Sequence, residues 1–170
     1  MGDDMKPMTH SVAMACAAAS LLASAAFLTA GCQRQDPEAE RRSLEYLATA
    51  AQEEGATVTG TGLVYTMLTP GTGPSPAATD TVQVHYHGTL PDGRVFDSSV
   101  DRGQPASFAL DQVIPCWTEG VQRMRVGEKA KLVCPPGLAY GDRGAGPIPP
   151  GSPLVFEVEL LAIAAPKGSP

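Results

Sequence analysis

Few residues in this chain carry groups that do chemistry. His85 and His87 lie two apart, so on an extended strand they share a face, which is the spacing of a metal chelate. No third ligand accompanies them, so a solvent-facing pair is the stronger reading, and no metal or cofactor is expected. Asp97 is followed by Ser98 and Ser99, a run that suits a turn cap as well as a site. No activated nucleophile or proton relay is evident. What remains is aromatic. In a sequence only 5% aromatic, with one tryptophan, each ring is worth locating. Taken singly, Tyr86, Phe96 and Phe156 read as ordinary core and Trp117 as a packing anchor.

The bulk numbers narrow the classes. A net charge of −6 and a pI near 4.9 argue against nucleic acid as a partner, because phosphate binding needs a basic stripe. Apolar residues at 43% suffice for a core, and 18 Gly with 16 Pro, not periodic, suit a turn-rich β domain.

Residues 1–31 read as a targeting segment, to be set aside from the fold. Residues 11–30 are almost uncharged and rich in Ala, Leu and Ser. Lys6 and His10 precede them, against Asp3 and Asp4; a start at Met5 or Met8 would drop both acids. The run ends Leu28-Thr29-Ala30-Gly31-Cys32, which resembles a lipobox with Thr29 where Leu is commoner. Cys32 would then be diacylated, and two acyl chains anchor stably. The other readings are an ordinary signal peptide or a membrane anchor, but so Ala-rich a stretch makes a poor membrane helix. Gln33 after the cysteine, rather than Asp, favours the outer membrane, facing the periplasm. With Cys16 in the leader and Cys32 lipidated, Cys116 and Cys134 form an even pair in an exported domain. Cys116 starts a helix and Cys134 points inward from a strand that could pack beneath it, so a disulfide is expected; the other reading is two buried thiols.

These groups need a frame. Residues 37–54 carry helix formers, with Leu44, Leu47, Ala48 and Ala51 in a narrow apolar stripe. That stripe rests on its own domain or pairs weakly with a second copy. Residues 57–62 read as a flexible connection. Strands are expected at 63–68, at 81–88 (Val82, Val84 and Tyr86 on one face), at 94–97 after the Pro91-Asp92-Gly93 hairpin signal, around Phe108 and Leu110, at 129–134 and at 154–163. Residues 115–124 suit a short helix opened by Pro115. The division is leader 1–31, lipidated stalk and linker 32–59, folded domain 60–165 and tail 166–170. The class is α+β, a five-to-six-stranded antiparallel sheet half-wrapped around one short helix.

Five segments in order carry a resemblance: Val82-Gln83-Val84-His85-Tyr86-His87-Gly88-Thr89-Leu90, Val95-Phe96-Asp97-Ser98-Ser99, Val113-Ile114-Pro115-Cys116-Trp117-Thr118-Glu119-Gly120, Leu138-Ala139-Tyr140-Gly141, and residues 154–161. Together they resemble the FKBP family of peptidyl-prolyl cis-trans isomerases over residues 60–163. The approach through Gly62-Leu63 is similar to its macrophage-infectivity-potentiator-like subgroup, whose longer helical arm this chain largely lacks. The resemblance implies a pocket lined by Tyr86, Phe96, Asp97, Val113, Ile114, Trp117, Tyr140, Ile148 and Phe156. In it Trp117 would be the floor, the Ile114 N–H and Tyr140 hydroxyl would be donors, and Asp97 would face the twisting amide. It further implies X-Pro polypeptides as substrates and macrolides such as rapamycin as inhibitors. Two departures bear on substrate preference: Ala106 replaces an aromatic common in the family, and the loop at 141–150 is one residue shorter. Hence a second reading stands beside the enzyme, a proline-segment binding or holdase module with weak turnover.

Overall fold

The computed structural model describes residues 36–164. The expected leader, Cys32 and the tail at 166–170 lie outside the described residues.

Helix α1 (Pro37–Ala50) begins as its sequence requires. Asp36 is the N-cap, its carboxylate accepting the Glu38 N–H at 3.0 Å, with Pro37 in the first turn and Glu38 and Glu40 at the positive end of the dipole. The helix stops at Ala50, short of the expected 54, and turns give way to Gly55, whose φ of 77° admits no ordinary side chain without strain.

Seven strands follow: β1 (Ala56–Val58), β2 (Val64–Thr69), β3 (Thr81–Thr89), β4 (Val95–Ser98), β5 (Ala106–Ala109), β6 (Lys129–Cys134) and β7 (Leu154–Ala164). All pair antiparallel in the order β1-β2-β6-β7-β3-β4, with β5 also on β3. β4 and β5 lie along one side of β3, the first on its end (His87 opposite Ser98) and the second on its start (Val82 opposite Phe108). They are two pieces of one edge, parted by residues 99–105. The longest ladder joins β3 to β7, from Thr81 opposite Ala164 to Thr89 opposite Val155.

Residues 57–62 are a correction to the sequence reading. Instead of a flexible connection they hold most of β1 and a tight hairpin into β2, closed by the Thr59 N–H on the Leu63 carbonyl at 2.9 Å. The Thr61 hydroxyl then reaches Glu119 on the second helix. Three residues, Ala-Thr-Val, are too few to show alternation, which is why the strand is not visible in the sequence.

The period of two puts Val82, Val84, Tyr86, Leu132, Cys134, Leu154, Phe156 and Val158 on the inner face, where they form the main core with helix α2 (Pro115–Arg123). α2 buries Cys116, Trp117, Gly120 and Val121. The structure joins Cys116 to Cys134 in a disulfide, Cα–Cα 5.7 Å, tying the start of α2 to the end of β6. On the outer face Val64, Val133 and Val155 meet Ala50, with Tyr46, Leu47 and Ala51, so the later half of α1 rests on its own sheet while Leu44 stays 61% exposed.

Candidate active site

Tyr86 is the last inward side chain of β3, two residues before the bare backbone of Gly88, and the structure assembles a set of rings around it. Tyr86 meets Trp117 edge-on with centroids 5.3 Å apart; Trp117 meets Phe156 at 5.4 Å and Phe108 at 5.3 Å; Phe156 meets Phe96 at 5.4 Å. All are near-perpendicular pairs, the arrangement that ring quadrupoles favour. Trp117 is central and 4% exposed, and its indole Nε1 has no hydrogen-bond partner among the described residues. Val113 and Ile114 pack against this core where the chain enters α2, and Ile148 enters it at 7% exposure, held by a two-bond bridge with Ala145. Leu138 and Ala139 also reach it, whereas Tyr140, next in sequence, is 41% exposed and is not among the ring pairs of the cluster.

A polar edge borders the rings. The Tyr86 hydroxyl donates to the Asp97 carboxylate. Arg102 donates to both, through Nη1 to Asp97 and through Nη2 to the Tyr86 oxygen at 3.0 Å, with its guanidinium 5.7 Å from the Tyr86 ring centre. Burial would raise the Asp97 pKa, but the hydrogen bonds from Tyr86 and Arg102 and the guanidinium charge outweigh it, holding the carboxyl below its usual 3.8. Burial, then the bond to Asp97, push the Tyr86 phenol up from its usual 10.0. At neutral pH the edge is therefore a carboxylate, a neutral phenol and a guanidinium.

The serines after Asp97 fix this edge in register. Ser99 is fully buried; its N–H donates to the Tyr86 carbonyl at 3.0 Å, and its Oγ accepts the Tyr86 N–H at 2.8 Å. Ser98 caps the following turn by accepting the Asp101 N–H at 3.1 Å. His85 and His87 stand behind them on the outer face. They are half-buried rather than solvent-facing, with His85 Nδ1 3.1 Å from Ser99 Oγ and His87 Nδ1 3.0 Å from Ser98 Oγ. No three His, Cys, Asp or Glu side chains gather as a metal-binding group among the described residues.

One backbone donor is open. Ile114 caps α2 with an extended φ/ψ and gives its carbonyl to Trp117 and Thr118, yet its own N–H has no partner among the described residues. The arrangement therefore sets an unpartnered amide N–H, able to donate to a carbonyl, at the end of α2 that carries Trp117. Sequence reasoning missed Phe108, Arg102 and Ser99. Phe108 had a signal, an aromatic on a short strand. Arg102 had none, because its bonds depend on how residues 99–105 fold back.

A structure with this sheet, helix and ring cluster falls into a known class, and the sequence agrees. The chain belongs to the FKBP-type peptidyl-prolyl cis-trans isomerase family, whose model matches residues 73–161. It is 58% identical over 129 residues to the FKBP-type peptidyl-prolyl cis-trans isomerase FkpA of Aeromonas hydrophila (76% of this chain, 48% of that one) and 52% identical over 129 residues to FkpA of Escherichia coli K12 (75% and 48%). The crystal structure of Escherichia coli FkpA matches with a TM-score of 0.73 at 50% identity, covering 75% of this chain and 60% of that one. A peptidyl-prolyl cis-trans isomerase from Pseudomonas syringae matches with a TM-score of 0.73 at 43% identity, covering 79% of this chain and all of that one. The chain spans about half the length of the curated relatives it matches.

Proposed function

We propose that the protein is a peptidyl-prolyl cis-trans isomerase acting on exported polypeptides, carried on a lipid anchor at Cys32 to the periplasmic face of the outer membrane. The observation that carries the catalytic part is the ring cluster on Trp117 bordered by Tyr86, Asp97 and Arg102. Rotation about an X-Pro bond crosses a barrier of about 18–20 kcal/mol and takes tens to hundreds of seconds unaided. The barrier is amide resonance, which places negative charge on oxygen. A twisted amide has lost that resonance and is less polar, so a dry aromatic pocket binds it better than the planar form. A millionfold acceleration needs about 8 kcal/mol of such difference. No bond is made or broken, so no nucleophile or metal enters the scheme.

In this reading the proline ring sits on Trp117 between Tyr86, Phe96 and Phe156, with Val113 and Ile148 closing the sides. The Ile114 N–H holds a substrate carbonyl, the Tyr140 hydroxyl donates from the rim, and Asp97 faces the twisting amide. Anchoring rests on the sequence ending at Cys32, as does kinship with the macrophage-infectivity-potentiator-like subgroup on the approach through Gly62-Leu63.

The test is the cis-to-trans rate of a short X-Pro peptide, with and without rapamycin. Strong acceleration abolished by the macrolide supports the pocket. A folded sample without acceleration overturns the enzyme and leaves the binding module.

A further inference from the structure

Helix α1 packs on the sheet through its later half; its first half faces the loops between β6 and β7 across a groove. The groove holds about 580 Å³, inside the range of about 300–1,000 Å³ usual for ligand sites. Ala39, Leu44, Leu47, Pro135, Pro136 and Pro150 make its walls largely apolar, and none of the clustered rings lines it. Two polar groups of α1 are left unfinished there. Ser43 is 5% exposed, yet its hydroxyl has no hydrogen-bond partner among the described residues. A helical serine or threonine can return its hydroxyl to the carbonyl four residues back. Thr49 does so, to Glu45 at 2.9 Å, and Ser43 does not. Glu40 is the second group. Arg41 pairs with Glu38 and Glu45, and Arg42 with Asp36 and Glu38, which leaves the Glu40 carboxylate without an ion pair among the described residues. Asp36, Glu40 and Asp142 line the groove; no lysine or arginine does. A smaller hollow adjoins it at Ala39 and Ser43, and the arginines there, Arg42 and Arg94, already have acidic partners.

We propose that this groove is a second binding site, independent of the isomerase reading, for an extended polypeptide segment in which basic residues alternate with apolar ones. Each part of such a segment answers one feature of the groove. An apolar side chain displaces water from between Leu44 and the prolines. The backbone, which carries both donors and acceptors, gives the Ser43 hydroxyl the partner it lacks. A lysine or arginine meets Glu40 and neutralises a wall that is acidic on both sides. A small amine would satisfy Glu40 alone and leave the apolar walls in water. An acidic segment would set like charges against Asp36 and Glu40. The positive end of the helix dipole accounts for an acid in the first turn, but Glu38 already serves there, and it is Glu40 that stands on the groove without a cation. The far wall belongs to the loop whose Leu138 and Ala139 pack on the ring core, so the groove and the candidate active site share one loop.

The experiment follows the fluorescence anisotropy of labelled heptapeptides without proline as the full chain is added. One peptide alternates Leu with Lys, one Leu with Glu and one Leu with Ser. The Leu-Lys peptide should bind about tenfold or more tighter than the Leu-Glu peptide, with Leu-Ser between them. Ser43→Ala should weaken the Leu-Lys peptide about threefold to tenfold, the net worth of one hydrogen bond; alanine is smaller and favours helix, so the fold is kept. Glu40→Lys should weaken it about tenfold or more by placing like charges together. Glu54→Lys makes the same change of charge at an exposed position outside the groove and should alter binding less than about threefold. That control separates the groove from the general attraction of a chain of net charge −6 for a basic peptide. Equal affinity for the Leu-Lys and Leu-Glu peptides, or equal losses from Glu40→Lys and Glu54→Lys, would overturn the proposal. So would the absence of binding; a dimer in sedimentation that Leu44→Ser breaks would then assign the groove to a second copy instead.

Discussion

The Cys116–Cys134 bond closes a loop of 18 residues and ties the start of α2, one residue before Trp117, to the end of β6. In the chain-entropy model a loop of that length stabilises by about 3 kcal/mol, through restriction of the unfolded chain. Both cysteines are fully buried, so replacing them by alanine also removes two packed sulfur atoms, at about 1 kcal/mol each. Reduced wild type should therefore lose about 3 kcal/mol relative to oxidised protein, and the Cys116→Ala, Cys134→Ala double variant about 5. With about 2.1 cal/mol/K of unfolding entropy per residue over some 130 residues, those losses lower Tm by about 11 and 18 °C. Urea unfolding with and without reductant separates the two parts, and the urea dependence should steepen once the link is cut, because the freed unfolded chain exposes more surface. Reduction of the native protein should be slow, since the buried sulfurs become accessible only on opening. Superimposable curves with and without reductant, or alkylation of both cysteines in unreduced, unfolded protein, would refute the reasoning.

Three further outcomes are expected. Arg102→Leu should leave stability within about 1 kcal/mol, because its pair with Asp97 is about half exposed. The same variant should lower kcat/KM about tenfold by freeing Tyr86 and Asp97 to shift, as peptide kinetics and urea curves on one sample would show. Glu128→Ala should destabilise by about 2–4 kcal/mol, because Glu128 is 2% exposed and the change strands the Tyr65 hydroxyl and the Arg125 N–H; turnover per folded molecule should survive. Urea midpoints against pH should show a plateau at neutrality. Asp97 and Glu119 are held below their usual 3.8 and 4.5, so their contribution is full above those values and lost as pH falls through the lowered ones. Tyr86 is raised above 10.0, so its contribution is full below 10.0 and lost as pH rises through the raised value.

The elements that sequence reveals are those whose signal is local. Val82, Val84 and Tyr86 alternate because one face of β3 is core, and Pro91-Asp92-Gly93 marks a turn because Gly93 takes a φ of 85°. Expected strands fall within a residue or two of those found, and residues 129–134 match β6 outright. What escapes is whatever depends on return of the chain. β1 has three residues and exists only because β2 folds back on it. Glu128, an acid after a glycine turn, reads as surface; it is buried because Tyr65, 63 residues earlier, supplies a donor. His85 and His87 read as exposed because alternation puts them opposite the core, yet the end of β4 brings Ser98 and Ser99 across to partner them.

Whether these aromatic residues are core or site is a question that burial does not decide. Trp117 at 4%, Tyr86 at 5% and Phe156 at 5% exposed belong to the main hydrophobic cluster by any packing measure. A reaction that needs only a dry, rigid, weakly polar space has no use for groups that differ from core. The distinguishing mark is incompleteness. Most buried donors in a folded protein are paired, whereas here, among the described residues, the buried Trp117 indole N–H has no partner and neither has the amide N–H of the partly buried Ile114. They stand three residues apart at the start of one helix, which the disulfide holds to the sheet one residue before the tryptophan. In the proposed reading a substrate carbonyl supplies the acceptor that the Ile114 amide lacks, while an apolar ring covers the indole face and leaves its N–H without a partner.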